Sequence, residues 1–138
     1  MRGFSAYFPN GGELGSEKWS YKLGWMSRLA AHLREAYDPA EPLALCGDFN
    51  VAPAPIDVHA PDRWVGKVLF SEPERQALGD LCAWGLTDCL RKKHPDTPKL
   101  FTWWDYRLQA FPRGWGLRID HVLATAPLLV LSGLAMYK

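Results

Sequence analysis

The chain has 138 residues, 48% of them hydrophobic, and a formal net charge of +1. This length fits one domain with a substantial core. The near-neutral charge does not indicate a nucleic-acid-binding protein, so any DNA-binding surface would have to be local. No apolar stretch approaches a membrane span and the start lacks a signal-peptide pattern, so we expect no membrane partner and a cytoplasmic location. Three cysteines without CxxC spacing, Cys46, Cys82 and Cys89, indicate buried thiols in a reducing compartment.

The first predicted elements alternate between strand and helix. A loosely alternating segment over residues 3–8 predicts a strand, and the turn Pro9-Asn10-Gly11-Gly12 ends it. A helix is predicted over residues 17–37, with Ser16 as its N-cap and apolar residues recurring every three or four positions. The apolar run Leu43–Cys46 then predicts a buried strand.

The second part of the chain has a less regular pattern. Residues 51–70 show no period and predict a long loop, which in a compact domain is more often functional than idle. Ser71 and Glu74 have the spacing of a capping box and open a second helix. Residues 86–90 predict a short element and residues 91–98 an exposed basic loop. Further strands are predicted over 101–104, 117–124 and 128–134. The alternation of strands and helices predicts an α/β fold.

The most informative motif is Gly47-Asp48-Phe49-Asn50, directly behind the apolar run of the buried strand. Ligands gather at the carboxyl edge of such strands in α/β proteins. Asp48 and Asn50 are two residues apart, so on an extended segment they point to the same side. A carboxylate that accepts a proton beside an amide that donates to an oxyanion suits attack of water on a phosphate. The same four residues could also form an ordinary turn.

Three further segments carry a resemblance: Tyr7-Phe8-Pro9-Asn10-Gly11, Thr102-Trp103-Trp104-Asp105-Tyr106 and Arg118-Ile119-Asp120. Together with the first motif they resemble the exodeoxyribonuclease III family of apurinic/apyrimidinic endonucleases, within the endonuclease/exonuclease/phosphatase superfamily. The resemblance runs through nearly the whole chain. The Gly-Asp-x-Asn and Arg-Ile-Asp motifs mark the superfamily, and the tyrosine and tryptophan motifs favour its DNA-repair branch.

The resemblance implies half of a four-layer α/β sandwich, with a mixed β-sheet that has helices on one face. Residues 1–138 match the second half of the family's fold. They lack the N-terminal half, with its magnesium-binding glutamate, and the C-terminal Ser-Asp-His segment. A complementary N-terminal half is therefore an expected partner.

The implied function is Mg²⁺- or Mn²⁺-dependent phosphodiester hydrolysis at abasic sites, with 3′→5′ exonuclease activity on double-stranded DNA. The partners are then DNA duplexes with abasic sites or 3′ ends, and the 138 residues by themselves are expected to be inactive. Two alternatives stay open. One is a non-catalytic remnant that binds DNA weakly or folds only with a partner chain. The other is a phosphomonoester or inositol-phosphate phosphatase of the same superfamily.

The resemblance also assigns roles at the expected catalytic site. Asp48 accepts the proton of the attacking water, Asn50 binds the phosphate, and both lie at the metal. Tyr7 lies at the scissile phosphate. Asp120 orients a histidine, as carboxylates do in hydrolase triads. An alternative for Asp120 is a structural ion pair with Arg118. His121 points to the opposite face of its strand and is expected to pack at the edge of the core.

Four residues are expected to bind the substrate: Asn10, Trp103, Arg113 and Arg118. Asn10 would lie near the DNA backbone, and Trp103 would form a wall of the pocket for the base-free sugar. The loop that contains Arg113 would probe the DNA groove. Each has a structural alternative: Asn10 as a turn former, Trp103 as a core residue, and the loop as a cover for the sheet edge.

Overall fold

The computed structural model describes residues 1–133. Its six strands are β1 (Arg2–Tyr7), β2 (Leu43–Asp48), β3 (Leu86–Asp88), β4 (Trp103–Trp104), β5 (Gly116–Leu117) and β6 (Asp120–Thr125). Its α-helices are α1 (Glu17–Ala36), α2 (Pro61–Trp64), α3 (Glu72–Gly85), α4 (Cys89–Lys93) and α5 (Ala126–Ser132), and Pro55–Asp57 form one turn of 3₁₀-helix. No helix in the described residues is long and apolar enough to span a membrane.

The main sheet is mixed and has the strand order β1-β2-β6-β3. Strands β1 and β2 are parallel, whereas β6 runs antiparallel to both β2 and β3. Strands β4 and β5 form a separate antiparallel ribbon. The expected α/β fold with a mixed sheet is therefore confirmed.

Helices α1 and α3 pack against each other and cover one face of the main sheet. Met26 from α1 and Leu81 from α3 share a core with Leu45 of β2 and Leu123 of β6. Leu45 and Leu123 are register partners, so the side chains of the intervening positions point to the other face. We call that second face the open face. Val122, which lies on it, is 52% exposed.

The capping residues in the sequence correctly predicted where both long helices begin. The Ser16 hydroxyl accepts a hydrogen bond from the Trp19 N–H and caps α1, which ends at Ala36, one residue before the predicted end. At the start of α3, the Glu74 carboxylate accepts hydrogen bonds from the Ser71 N–H and hydroxyl, as the capping-box spacing predicted.

The segment predicted as a long loop over residues 51–70 is ordered by its own small core. Ala52, Val58 and Phe70 are buried there against Leu117 and Ile119. The backbone N–H of Ala52 also donates to the carbonyl of Leu69 at 2.8 Å, which closes the segment. It contains the 3₁₀ turn and α2 rather than irregular chain alone. The loop therefore has a fixed shape next to the segment between β5 and β6, which contains Ile119.

Several sequence predictions in the second part of the chain were wrong. The strand predicted over 128–134 is helix α5, and position 134 lies outside the described residues. A short apolar run does not distinguish strand from buried helix. Here Pro127 lies in the first turn and Gly133 ends the helix with a φ of 76°. The strand predicted over 117–124 is divided into β5 and β6.

The basic loop predicted over 91–98 begins instead as helix α4. Its first basic side chain is only partly exposed, because Arg91 forms an ion pair with the buried Asp57 at 2.7 Å. The three cysteines are free thiols, as expected, but each is only half-buried.

Candidate active site

Three of the predicted site residues form one row across three adjacent strands. Tyr7 is the register partner of Asp48, and Asp48 is the register partner of Asp120. Register partners point to the same side of a sheet, so all three side chains lie on the open face. Tyr7 is 72% exposed and the two carboxylates are half-buried. The fold thus brings together residues that are 113 positions apart in the chain.

The glycine before Asp48 permits the close pairing of β1 and β2. Gly47 has a φ of +143°, and a Cβ atom there would lie 1.9 Å from the carbonyl oxygen of Ala6. Any other residue would push the two strands apart or distort the turn. Gly47 therefore sets how closely Tyr7 approaches Asp48.

The pKa of the Asp48 carboxyl is raised above its ordinary value. Partial burial is the main cause, and the nearby charge of Asp120 adds to it. The hydrogen bond from the Asn50 N–H to Asp48 Oδ1, at 3.0 Å, and the charge of Lys22 work in the opposite direction. A carboxylate with a raised pKa is a better proton acceptor than an ordinary surface aspartate.

Asn50 is held in the left-handed region, with a φ of 52°, a conformation that asparagine tolerates better than most residues. Its side-chain Nδ2 donates to the carbonyl of Phe8 at 2.8 Å, which joins the ends of β1 and β2. A side-chain amide has two N–H donors. One N–H of Asn50 therefore fixes the side chain, and the other is the donor that could meet an oxyanion.

Asn10 lies in the turn after β1, and it does form the local turn contact that its sequence context allows. Its Oδ1 accepts the backbone N–H of Gly12 at 3.3 Å. The residue is exposed and borders a surface cavity of about 500 Å³ with Lys18 and Tyr21. The turn role and the expected contact with a DNA backbone are compatible, because the NH₂ group is not needed for the turn.

Trp103 lies close to Asp120 because the β4–β5 ribbon is anchored to the main sheet by Thr102. The Thr102 hydroxyl accepts the backbone N–H groups of Ile119 and Asp120 at 3.0 and 3.1 Å. Trp103 is 36% exposed, whereas Trp104 is half-buried and packs edge-to-face on Phe111 with ring centroids 4.9 Å apart. Trp103 is therefore the more exposed of the two tryptophans.

Arg113 is exposed in the loop between β4 and β5, with its guanidinium 4.6 Å from the centroid of the Trp115 ring. It lines a surface cavity of about 690 Å³ together with His59, Arg63 and Lys99. Positive and aromatic groups therefore share one concave surface, which is the composition that binds phosphate backbones and exposed bases.

Arg118 is buried, with 1% of its surface exposed, and has a structural role instead of the expected contact with substrate. Its Nε donates to Asp57 at 2.6 Å, and its Nη1 and Nη2 bind both oxygens of Asp88 at 3.1 and 2.7 Å. Burial works to raise the pKa of Asp88, but the bonds from Arg118 outweigh it and the pKa lies below its ordinary value. The alternative ion pair between Arg118 and Asp120 is not formed.

His121 packs in the core, as its position on the strand predicted, and it is held neutral. Burial is the main cause that lowers its pKa. Its Nδ1 lies 3.2 Å from Arg118 Nη1, which can only donate, so Nδ1 is the acceptor and Nε2 carries the proton toward the carbonyl of Val51 at 2.8 Å. His121 is therefore not placed to act on a ligand of the open face.

The sequence did not reveal Lys22, which is fully buried beneath the site. Its ammonium donates to the backbone carbonyls of Asn10 and Asn50 and to the carboxylate of Glu74. The available signal was its spacing: Lys22 lies four residues before Met26 and eight before Ala30, on the buried stripe of α1.

The donor set on the open face fits a hard divalent cation. Asp48 and Asp120 offer carboxylate oxygens side by side. Asn50, two residues after Asp48, also has an amide oxygen, but this residue is buried, with 4% of its surface exposed. Mg²⁺ is commonly held by one or two carboxylates, with water and substrate phosphates completing its coordination. Within residues 1–133, no group of three or more His, Cys, Asp or Glu side chains is arranged to hold a metal ion.

Comparison with known proteins identifies a matching family and relatives about twice the length of this chain. Residues 4–136 match the profile of the endonuclease/exonuclease/phosphatase family. Exodeoxyribonuclease III of Haemophilus influenzae is 34% identical over 131 residues, covering 90% of this chain and 49% of that protein. The chain thus spans about half the length of the curated relatives it matches.

Solved structures agree with this assignment. An AP endonuclease from Archaeoglobus fulgidus superposes with a TM-score of 0.86 at 44% identity, covering 90% of this chain and 48% of that one. The Neisseria 3′ phosphatase NExo, solved with a product DNA hairpin, has a TM-score of 0.85 at 39% identity and is covered to 49%, with 91% of this chain. The chain belongs to the endonuclease/exonuclease/phosphatase family, among relatives named exodeoxyribonuclease III and AP endonuclease.

Proposed function

We propose that this chain provides the phosphate-cleaving site of a DNA-repair nuclease. The reaction is divalent-metal-dependent phosphodiester hydrolysis at abasic sites, accompanied by 3′→5′ exonuclease activity on double-stranded DNA. The observation that carries the proposal is the row of Tyr7, Asp48 and Asp120 on the open face, since these strands bring a phenol and two carboxylates to one accessible surface. The names of the relatives support DNA as the substrate.

In this proposal Asp48 is the proton acceptor. Water attacks the phosphorus atom and gives its proton to Asp48, the bond between phosphorus and the leaving oxygen breaks, and the leaving oxygen takes up a proton from solvent. A general base works best when its pKa is close to the working pH, and the burial and like charge that raise the pKa of Asp48 move it in that direction.

Asn50 and Tyr7 bind the phosphate on either side of that carboxylate. The second N–H of the Asn50 amide donates to a phosphate oxygen while the first holds the carbonyl of Phe8. The exposed Tyr7 hydroxyl lies at the scissile phosphate. The Asn50 amide is held by its bond to the Phe8 carbonyl, so it needs little reorganisation as negative charge develops.

Asp48 and Asn50 are the proposed ligands of Mg²⁺ or Mn²⁺, and their oxygen atoms suit such an ion. When bound, the ion would neutralise charge on the phosphate and stabilise the leaving oxygen. Asp120 does not need to be a ligand in this scheme. It orients a histidine supplied from outside the matched half, in the way a carboxylate holds an imidazole in hydrolases.

Trp103 and Arg113 are the proposed DNA-recognition residues. Trp103 stands at the edge of the row with a third of its surface exposed, where it can pack against a base-free sugar. Arg113 and the basic, aromatic cavity around it offer phosphate contacts beyond the reacting group.

A complementary half is the proposed protein partner. Two features support it: the chain covers 49% of the Haemophilus influenzae relative and 48% of the Archaeoglobus fulgidus enzyme, and on the open face Tyr7 and Val122 are 72% and 52% exposed. In the proposed assembly, the second half lies over part of this face and encloses the row of site residues.

The test uses this chain together with the segment of the Haemophilus influenzae relative that lies outside the matched 131 residues. The two are co-expressed and purified as a complex. Cleavage is then measured, with and without Mg²⁺, on a labelled duplex with one abasic site, on a duplex with a free 3′ end and on a 3′-phosphorylated duplex. A phosphoinositide serves as the competing substrate.

Metal-dependent cleavage of DNA that disappears in Asp48→Ala is the expected result. A complex that releases phosphate from the phosphoinositide but leaves all DNA substrates intact would make the chain part of a different phosphoesterase. A complex that forms and cleaves nothing would identify it as a non-catalytic remnant.

A further inference from the structure

A buried ion pair lies directly beneath the candidate site. Lys22 of α1 and Glu74 of α3 are both fully buried, and Lys22 Nζ is 2.5 Å from Glu74 Oε1. None of the proposed chemistry uses either residue. Buried pairs of this kind are costly to desolvate and give little net stability compared with well-packed apolar residues of similar volume. The presence of this pair therefore calls for another explanation.

The ammonium group of Lys22 uses its three N–H donors on three separate segments. Besides the Glu74 carboxylate, it donates to the carbonyl of Asn50 at 2.7 Å and to the carbonyl of Asn10 at 3.1 Å. Asn50 follows β2 and Asn10 follows β1, so the two carbonyls belong to the two turns that carry the proposed phosphate ligands. One cation thus joins both turns to α1.

Glu74 is itself fixed on all sides. Its Oε1 also accepts the backbone N–H of Leu69, and its Oε2 accepts the N–H and the hydroxyl of Ser71. The three donors from Leu69 and Ser71 hold the carboxylate in place, and the carboxylate in turn fixes the position of the Lys22 ammonium. The rigid start of α3 is thereby connected to the turns of the site.

The turn at Asn50 needs such support. A residue in the left-handed region carries backbone strain and stays there only where surrounding contacts determine its conformation. The Lys22 bond to the Asn50 carbonyl and the Asn50 side-chain bond to Phe8 hold this residue from both ends. If either is lost, the amide that faces the phosphate is no longer fixed in direction.

We propose that Lys22, held by Glu74, is a positioning residue that fixes the turns of Asn10 and Asn50 for binding a phosphate group. This inference rests on the proposed function, in which Asn50 binds the phosphate, and on the expectation from the family resemblance that Asn10 lies near the DNA backbone. Lys22 touches no substrate itself, since it is fully buried. Its effect passes through the two carbonyls.

The main test is the double variant Lys22→Met, Glu74→Gln in the whole chain. It removes both charges together, so neither is left unpaired, and glutamine can still complete the capping box with Ser71. The matched control is Leu29→Ala, which removes partly buried apolar packing from the same helix, two turns further on. The side-chain amide NMR signals of Asn10 and Asn50, amide hydrogen exchange, thermal unfolding and DNA affinity are measured for each.

We expect the double variant to fold, with the Asn10 and Asn50 signals shifted or broadened and exchange of the Asn50 amide accelerated. Its affinity for a short duplex with a tetrahydrofuran abasic-site analogue should fall about tenfold, as for the loss of one well-aligned hydrogen bond to a charged group. Leu29→Ala should lower the melting temperature without either change. Unaltered Asn10 and Asn50 signals in a folded double variant would overturn the proposal.

If the double variant does not fold, a measurement on the unsubstituted chain tests the bonds from Lys22 to the carbonyls of Asn10 and Asn50. Deuteration of the Lys22 ammonium should produce isotope shifts at the carbonyl carbons of Asn10 and Asn50. The absence of both shifts would also overturn the proposal. If the complex with the complementary half cleaves no DNA, the proposed function fails, whereas the NMR comparison still decides whether Lys22 positions the two turns.

Discussion

Asp48 and Asp120 are register partners on adjacent antiparallel strands, so their carboxylates lie next to each other on the open face of the sheet. Burial and the charge of Asp120 both raise the pKa of Asp48, while the Asn50 N–H keeps the carboxylate in place. Asp48 is therefore more basic than an ordinary aspartate, and in the proposed function Asp120 is left to orient a histidine.

Replacing the carboxylate of Asp48 should change the rate of cleavage without changing the affinity for DNA. In a protein that joins this chain to the complementary half, Asp48→Asn should abolish cleavage, while DNA binding stays nearly intact because charge repulsion with the phosphate falls. General-base catalysis is typically worth about 10²–10⁴-fold, so residual cleavage within about tenfold of the native rate would exclude this role. Cleavage of an abasic duplex and equilibrium binding are the two measurements. Asp96→Asn, at an exposed position, is the control.

The raised pKa of Asp48 also predicts a pH dependence of stability. The folded state disfavours the ionised carboxyl, so the contribution of Asp48 is favourable below its ordinary pKa of 3.8 and is lost as the pH rises through the raised value. Asp48→Asn cannot ionise and should therefore melt at a higher temperature than the native chain at neutral pH. That difference should vanish below about pH 4. A difference that persists unchanged in acid would show that another effect is responsible.

Two arginines predicted to bind substrate should behave in opposite ways. Arg118→Met removes the guanidinium that pairs with the buried Asp57 and with Asp88, and only Arg91 then remains paired with Asp57. Breaking a buried ion pair costs about 3–5 kcal/mol. Arg113→Met affects an exposed side chain, so DNA affinity should fall while the free energy of unfolding stays nearly the same. Urea unfolding and DNA titration of both variants check this. A stable Arg118→Met variant that has lost DNA binding would restore the substrate-binding role expected from the sequence.

The adjacent tryptophans provide a second matched pair. Trp103→Ala should weaken discrimination between abasic and intact DNA more than it weakens overall affinity, because phosphate contacts supply most sequence-independent binding. Trp104→Ala should mainly lower the melting temperature, since its ring packs on Phe111. Binding to both duplexes and thermal unfolding are measured for each variant. Equal losses on both duplexes in Trp103→Ala, together with a large drop in melting temperature, would place Trp103 in the core instead.

The 138 residues by themselves should be essentially inactive on abasic DNA, even in millimolar Mg²⁺. Asp48 and Asn50 can position water and phosphate, but the glutamate that the family resemblance assigns to the metal is not among these residues, and Mg²⁺ needs carboxylate ligands held in place. When several catalytic groups act together, removing one of them lowers the rate by far more than its separate contribution. The purified chain is assayed on a labelled abasic duplex. Metal-dependent turnover that disappears in Asp48→Ala would show that this half of the fold is sufficient.

The sequence by itself determined the features that depend on neighbouring residues. Ser16 and the Ser71–Glu74 pair marked the helix starts because capping bonds span only three positions. The Gly-Asp-x-Asn motif marked the strand end because Gly47 meets a steric requirement of the backbone. The alternation of strand and helix likewise indicated an α/β fold. The resemblance of four short motifs then identified the family.

The tertiary structure alone decided which charged residues are buried and which are accessible. Nothing local distinguishes Arg118, with Asp57 and Asp88 around it, from the exposed Arg113, because its partners lie 30 and 61 positions away. Lys22 is surrounded by ordinary helix sequence, and only the packing of α1 on α3 brings Glu74 to it. Burial of a charge is favourable only with distant partners in place, and such partners are set by the whole fold rather than by any short segment.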